Sequence, residues 1–235
     1  MKGGKVLKQR AIIMGAGIVG LTTAKMLSSY VDEVVVFEQD SSINSPNSGD
    51  FGRRGAPQSY HPHILLLKGR QVLEQYFPGI THRCVSEGAW YFDYAFDTHI
   101  DYRGVTLPRF HSGIYSLACS RGLLERRLYQ EVQSVDNIMV CDRATVREIG
   151  FHRAINKVVD VQVHIEGKGV SVFEADIFID AMGRSSKSPQ WLSSKYGIDI
   201  KTTTVMPFAG YATCLYNVSV DQPTDWVVSG VSAVA

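Results

Sequence analysis

One stretch restricts this chain more than any other: "RAIIMGAGIVGLTTAKMLSSYVDEVVVFEQD", from Arg10 to Asp40. Ala11 to Met14 reads as a short buried strand. Ile18, Leu21, Ala24, Lys25 and Leu27 carry a helical rhythm, with Leu21, Ala24 and Leu27 on the inner face. "EVVVFE" is a β-branched second strand ending at Glu38. The three elements make a βαβ unit with Gly15-x-Gly17-x-x-Gly20 at its first turn. Gly15 permits a tight turn, Gly17 lets a pyrophosphate approach the backbone, and Gly20 lets helix and strand pack closely. Amides at the helix start, around Ala16, Ile18 and Val19, would point at the phosphates. Glu38 lies 18 residues after Gly20, with Gln39 beside it, and its carboxylate can accept both hydroxyls of an adenosine ribose. A buried glycine turn without ligand is the plainer alternative. Strand, glycines, helix, strand and terminal acid in this order favour a dinucleotide.

A secretion signal competes for the same residues. Lys2, Lys5, Lys8 and Arg10 precede the apolar run, as in a signal's first two regions. Against it stand the fixed glycine spacing and a helix that continues through "LTTAKMLSSY" with no small-x-small site. The uncharged run from Ala11 to Ala24 is shorter than the roughly 20 residues needed to span a bilayer, so no transmembrane segment is expected. Over 235 residues the net charge is +1, which gives no reason to expect nucleic acid or an anionic membrane as partner. Cys84, Cys119, Cys141 and Cys214 form no Cys-x-x-Cys pair and read as reduced thiols of a cytoplasmic protein.

After Glu38 comes "QDSSINSPNSGDFGRRGAPQSYHP", a polar loop without strand pattern. "HILLLKGRQVLEQYFPG" reads as a helix stopped by Pro78-Gly79. "GAWYFDY", "THIDYRG" and "VTLPRF" read as strands. "SRGLLERRLYQEVQS" is an amphipathic helix with Leu123, Leu124, Leu128 and Val132 inward and its arginines outward. "NIMVCD" is a strand, and "ATVREIGFHR", "KVVDVQVHIEG" and "GVSVFEADIFIDAMG" form an antiparallel run followed by one more buried strand. A short helix covers Pro189 to Tyr196, and "TTTVMPFAGYATCLYNVSV" alternates like a strand entering another sheet.

An NAD domain would continue with regular strand–helix units. Here a polar loop bearing Arg53 and Arg54 intervenes, which favours FAD, and Glu38 disfavours a 2′-phosphate. At "RRGAPQSYHPHILLLKG", "SRGLLERRL" and "ADIFIDAMGRSSKSPQWL" the chain resembles the flavin-dependent aromatic hydroxylases, the para-hydroxybenzoate hydroxylase-like family, from Lys5 to about Tyr211. The resemblance implies an α/β, Rossmann-like FAD-binding domain with the beginning of a β-sheet substrate domain. It divides the chain into FAD-binding residues 1–82, substrate-side strands 83–115, an FAD-binding return 116–192 and the start of a substrate domain at 193–235. Carried over, Gly15, Gly17, Gly20 and Glu38 hold the ADP half of FAD, and Arg53 reaches the phosphates or ribose. Arg121 faces the pyrophosphate and ribityl chain, Val146 meets adenine through its backbone, and the Asp180 to Gly183 turn passes the adenosine side. Met182 stands where the family has a small polar residue.

Solvated surface charge is the plainer alternative for Arg53, Arg54 and Arg121, and turn-ordering for Asp180. His61 and His63 lack the carboxylates or cysteines of a metal site, so no metal is expected; the resemblance places them near the cofactor. The family's later Gly-Asp motif is not found, since Gly49-Asp50 comes too early. A fragment, a truncated frame or a shortened relative is therefore expected, binding FAD weakly but ADP comparably. An open edge strand near Tyr211 to Val220 would invite a homodimer. The implied activity is a monooxygenase using NAD(P)H as transient co-substrate, oxygen, and an apolar or aromatic small molecule. A catalytically inactive nucleotide-binding remnant, or a reductase or dehydrogenase of prenyl or lipid substrates, stays open beside it. Catalytic residues are not identified from the sequence.

Overall fold

Strand β1 (Arg10–Met14) is apolar on both faces because both faces are covered, as in buried parallel sheets. It lies between β2 (Glu33–Phe37) and a strand from much later in the chain, β12 (Ile177–Asp180), and is parallel to both. The structure is a computed structural model that describes residues 8–41, 53, 55–206, 208–214, 216 and 224–232. The other elements are α1 (Ile18–Leu27), β3 (Pro62–Leu65), α2 (Leu67–Tyr76), α3 (Ile80–Ser86), β4 (Trp90–Asp93), β5 (Thr98–Tyr102), β6 (Val105–Thr106) and β7 (Tyr115–Ser120). They continue with α4 (Arg121–Gln133), β8 (Ile138–Cys141), β9 (Ala144–His152), β10 (Lys157–Ile165), β11 (Gly169–Glu174), α5 (Ser188–Tyr196) and β13 (Val228–Ser232).

The parallel sheet runs β12-β1-β2-β8 and separates two apolar layers. Successive side chains along a strand point to opposite faces. Ala11, Ile13, Val34 and Val36 accordingly pack with Leu21 and Ala24 of α1 and with Leu124, Leu128 and Val132 of α4. Ile12, Met14, Val35 and Phe37 pack the other way, against Ala144, Ile149, Val161 and Val163 of the antiparallel sheet β11-β10-β9. The run that imitates a signal's apolar core is thus a central strand and its following helix. Two further small sheets, β3-β7-β4 and β13-β5-β6, extend beyond these layers.

Three expectations change. "HIL" is not helix: Pro62–Leu65 is strand β3, antiparallel to β7, with Leu65 opposite Leu117. A short apolar run is ambiguous between strand and buried helix, and the partner strand decides it. The helix begins only at Leu67. The arginines of α4 are not a free outer face, since Arg121 pairs with Glu125, and Arg126 and Arg127 pair with Glu87. In the alternating tail, Thr202 to Met206, Phe208 to Cys214 and Tyr216 take no strand pairing and are mostly exposed, while Pro207, Leu215 and Asn217 to Val220 lie outside the described residues. The strand that does join a sheet is β13, parallel to β5. The expected homodimer edge at Tyr211 to Val220 therefore has no strand behind it among the described residues. All four cysteines are free thiols. No helix among the described residues is long and apolar enough to cross a membrane.

Asp93, at the end of β4, ties together the connection between β4 and β7. It is buried, and its carboxylate accepts from the amides of Ala95 at 3.0 Å, Phe96 at 3.1 Å, Gly113 at 3.0 Å and Ser112 at 3.0 Å, and from the Ser112 hydroxyl at 2.6 Å. Burial by itself would raise its pKa. The Ser112 hydroxyl and the loop amides outweigh that and hold it far below the usual carboxylate range. A depressed folded pKa stabilises above the unfolded value of about 3.9 and loses that contribution as pH falls through the folded one. Asp93→Asn is expected to lower Tm at pH 7, and the gap from the native chain should narrow below about pH 4 in pH-dependent thermal melts. An unchanged Tm at neutral pH would contradict this role.

Candidate functional site: the glycine turn and its carboxylates

The site grows at the carboxyl end of the parallel strands, where open α/β sheets leave a crevice for ligands. The Gly15 amide donates to the Phe37 carbonyl at 2.8 Å, tying the first turn to the end of β2. Gly15 takes φ +106°, a conformation side chains resist, and a Cβ there would lie 2.6 Å from the Ala181 carbonyl oxygen. A Cβ on Gly20 would lie 1.9 Å from the Gly15 carbonyl oxygen. Helix and strand thus approach as the spacing predicts. Gly17 is the N-cap residue of α1, without a side-chain cap. The first amides of a helix have no intrahelical acceptor, so those at Ile18, Val19 and Gly20 are available to an anion.

Glu38 is 4% exposed. Its Oε2 accepts from the Ala16 amide at 2.8 Å and its Oε1 from the Asp40 amide at 3.0 Å. Each carboxylate oxygen keeps acceptor capacity beyond these bonds. Gln39 is exposed next to it, beside Gly55. The turn after β12 packs against the glycines: the Ala181 amide donates to Met14 at 2.9 Å. Asp180 orders this turn by accepting from the Met182 amide at 3.0 Å and from the Ser186 hydroxyl. Gly183 follows with φ +60°.

Arg53 lies over the glycine turn, with Nη2 3.5 Å from where a Gly17 Cβ would be. Its Nε donates to Glu125 at 2.7 Å, and its Nη1 lies 3.1 Å from Asp40 and 3.4 Å from Glu38. Burial lowers its pKa, but the hydrogen bond and charge of Glu125, with Glu38 and Asp40, outweigh this and the net shift is upward. Arg53 is therefore no solvated loop charge. Arg54 lies outside the described residues. Arg121 begins α4, whose N-cap Ser120 hydroxyl accepts from the Leu123 amide at 3.1 Å. Its Nε donates to the second oxygen of the same Glu125 at 2.8 Å. The structure brings Arg53 and Arg121 together through one carboxylate, with three acids against two arginines.

Glu125 is 1% exposed and was missed by the sequence reading. The signal was present. Arg121, Glu125, Leu128 and Val132 share one helix face at i, i+4, i+7 and i+11, so a charge stands in the buried stripe. Val146 does not line the glycine turn with its side chain. It packs in the layer of Met14 and Phe37, and β9 reaches the site through the Ala144 amide, which donates to the Glu38 carbonyl at 2.8 Å. His61 is bonded to Thr213 Oγ1 at 2.8 Å. His63 has a buried Nε2 with no partner. Burial, then the charge of Arg121, lower the His63 pKa against an opposing pull from Glu125. No metal-holding cluster occurs among the described residues.

No family model matches the chain. Protein Rv3254 of Mycobacterium tuberculosis is 31% identical over 198 residues, which are 79% of this chain and 40% of that protein. PqsL of Pseudomonas aeruginosa, described as a probable FAD-dependent monooxygenase, superposes with a TM-score of 0.57 at 16% identity, over 84% of this chain and 48% of PqsL. The p-nitrophenol 4-monooxygenase PnpA of Pseudomonas putida gives a TM-score of 0.55 at 17% identity, over 81% of this chain and 44% of PnpA. A tetrameric form of 2-methyl-3-hydroxypyridine-5-carboxylic acid oxygenase gives 0.52 at 18%, over 73% and 38%. The chain has the fold of the FAD-dependent monooxygenases. It spans about two fifths of the length of the curated relative it matches, and 38–48% of these solved chains.

Two outcomes follow from this geometry. Gly20→Ala must push the Gly15 carbonyl aside, and overpacking of this kind costs about 1–3 kcal/mol, to be read from denaturant unfolding. His63, with its folded pKa below the unfolded value of about 6.5, should favour unfolding as pH falls through that value, because the unfolded chain takes the proton the fold refuses. Unfolding free energy measured from pH 7.5 to 5 should fall more steeply for the native chain than for His63→Asn.

Proposed function

We propose that this chain binds the ADP half of FAD and forms the cofactor-binding part of a flavin-dependent monooxygenase. The observation that carries the reading is Glu38: a buried carboxylate at the end of β2, held by two backbone amides beside an open helix N-terminus and a glycine turn. The residues present fit the cofactor. The space beside Gly17, the uncapped start of α1 and the remaining acceptor capacity of Glu38 support the reading.

In this proposal Glu38 accepts the ribose hydroxyls, and the amides of Gly17, Ile18, Val19 and Gly20 face the pyrophosphate. Ala16 holds Glu38 in place through its amide. Arg53 would reach the phosphates or ribose, and Arg121 would face the pyrophosphate and ribityl chain, each while paired with Glu125. Gln39 borders the ribose, and the backbone of Val146 edges the adenine. Asp180 shapes the turn whose Gly183 passes the adenosine side. Bound flavin would supply the redox chemistry, taking a hydride from NAD(P)H and passing activated oxygen to an apolar or aromatic small molecule. The protein's share is binding, orientation and exclusion of water. Residues 1–82 and 116–192 would hold the cofactor, with 83–115 and 193–235 on the substrate side. Four free thiols fit a reducing compartment such as the cytoplasm.

Calorimetric titration with FAD, ADP and NAD tests the reading. FAD and ADP should bind with comparable affinity and NAD more weakly. A hydrogen bond to a charged acceptor is worth about 1.5–3 kcal/mol, so Glu38→Ala should weaken FAD and ADP at least tenfold. Equal dissociation constants for native chain and variant, or binding of NAD alone, would reject it.

A further inference from the structure

The three contacts of Arg53 are unequal. Glu125 takes Nε at 2.7 Å and Asp40 takes Nη1 at 3.1 Å, while Glu38 stands off at 3.4 Å. The weakest contact is the one to the carboxylate that the ribose needs. A guanidinium paired closely with Glu38 would occupy its free acceptor capacity, and the ligand's hydroxyls would have to displace a charge-assisted bond. We propose that Glu125, with Asp40, is a positioning residue that holds Arg53 off Glu38 and thereby keeps the ribose acceptor open. This rests on the reading of Glu38 given above and goes beyond it to a residue that touches no ligand.

Two features make Glu125 suited to this. It divides its two oxygens between Arg53 and Arg121, so one buried anion fixes both guanidiniums. It is also rigidly placed, on the third inward position of a capped helix between Leu124 and Leu128, both fully buried. Asp40 adds a second restraint: its Oδ2 also accepts the Gly55 amide at 2.9 Å, which anchors the arginine's own loop. Without either acid, attraction between Arg53 and the remaining carboxylates shifts the guanidinium toward Glu38, because a partly buried cation moves to the nearest counter-charge.

A double-mutant cycle reads this coupling. Glu125→Gln should weaken ADP binding about tenfold in calorimetry, and Glu125→Asp, which keeps the charge, should recover part of it. In an Arg53→Gln background the same Glu125→Gln change should cost less than twofold, since no guanidinium is left to close the site. A structural role alone would give equal losses in both backgrounds. Glu125→Gln leaves two arginines short of a counter-ion and can fail to fold. Asp40→Asn, at a partly exposed position, then provides the same cycle with an expected loss of about threefold that also vanishes with Arg53→Gln. ADP affinity unchanged in Asp40→Asn and in any folded Glu125→Gln, or losses that persist in the Arg53→Gln background, would overturn the proposal. Native chain that binds no ADP would instead refute the underlying reading of Glu38.

Discussion

The carboxylate of Glu38 joins two parts of the chain that the fold must bring together. One oxygen holds the Ala16 amide inside the glycine turn; the other holds the Asp40 amide where the chain leaves β2. A carboxylate this buried is tolerated only when hydrogen-bonded, because an unsatisfied one costs several kcal/mol. Backbone amides meet that demand without using both lone pairs of either oxygen. The turn, the strand end and the entry of the polar loop are therefore registered to one another by one side chain.

That registration depends on the layers beneath it. Helices pack on one face of the parallel sheet and the β9–β11 sheet on the other, so β1, β2 and β12 end together and their loops converge. β12 supplies the Ala181 carbonyl that Gly15 approaches, from a position in the sequence far beyond the first βαβ unit. The arginines enter from two other places, a loop and the start of α4, and meet on Glu125. These segments meet beside the glycine turn, where both arginines are already paired with acids of the same site. The solved structures with this fold share the arrangement of layers at 16–18% identity, which is what close packing of alternating apolar strands allows.

Much of this was written locally. The βαβ unit, its glycines and Glu38 follow from short-range rules: period 3.6 against period 2, turn conformations that exclude Cβ, and an acid at a fixed distance. The α4 leucines and the β9–β11 run were legible for the same reason. The β3 strand was not, because "HIL" is apolar either way and only β7 beside it decides. Thr202 to Met206 and Phe208 to Cys214 alternate without pairing, because alternation states which face a strand would bury and not whether a partner strand is there.

The sequence by itself determined the βαβ unit with its glycine turn and the acid that ends β2, since each is a property of neighbouring residues. Tertiary structure alone decided the partners of the charges. Arg53 and Glu125 are separated by 72 residues, and Glu38 and Arg53 by a loop with no pattern of its own. A charge shows in sequence only as a polar residue. Whether it is solvated or buried against two opposite charges depends on which distant segments the sheet brings to the same end, and that is set by packing rather than by any local preference.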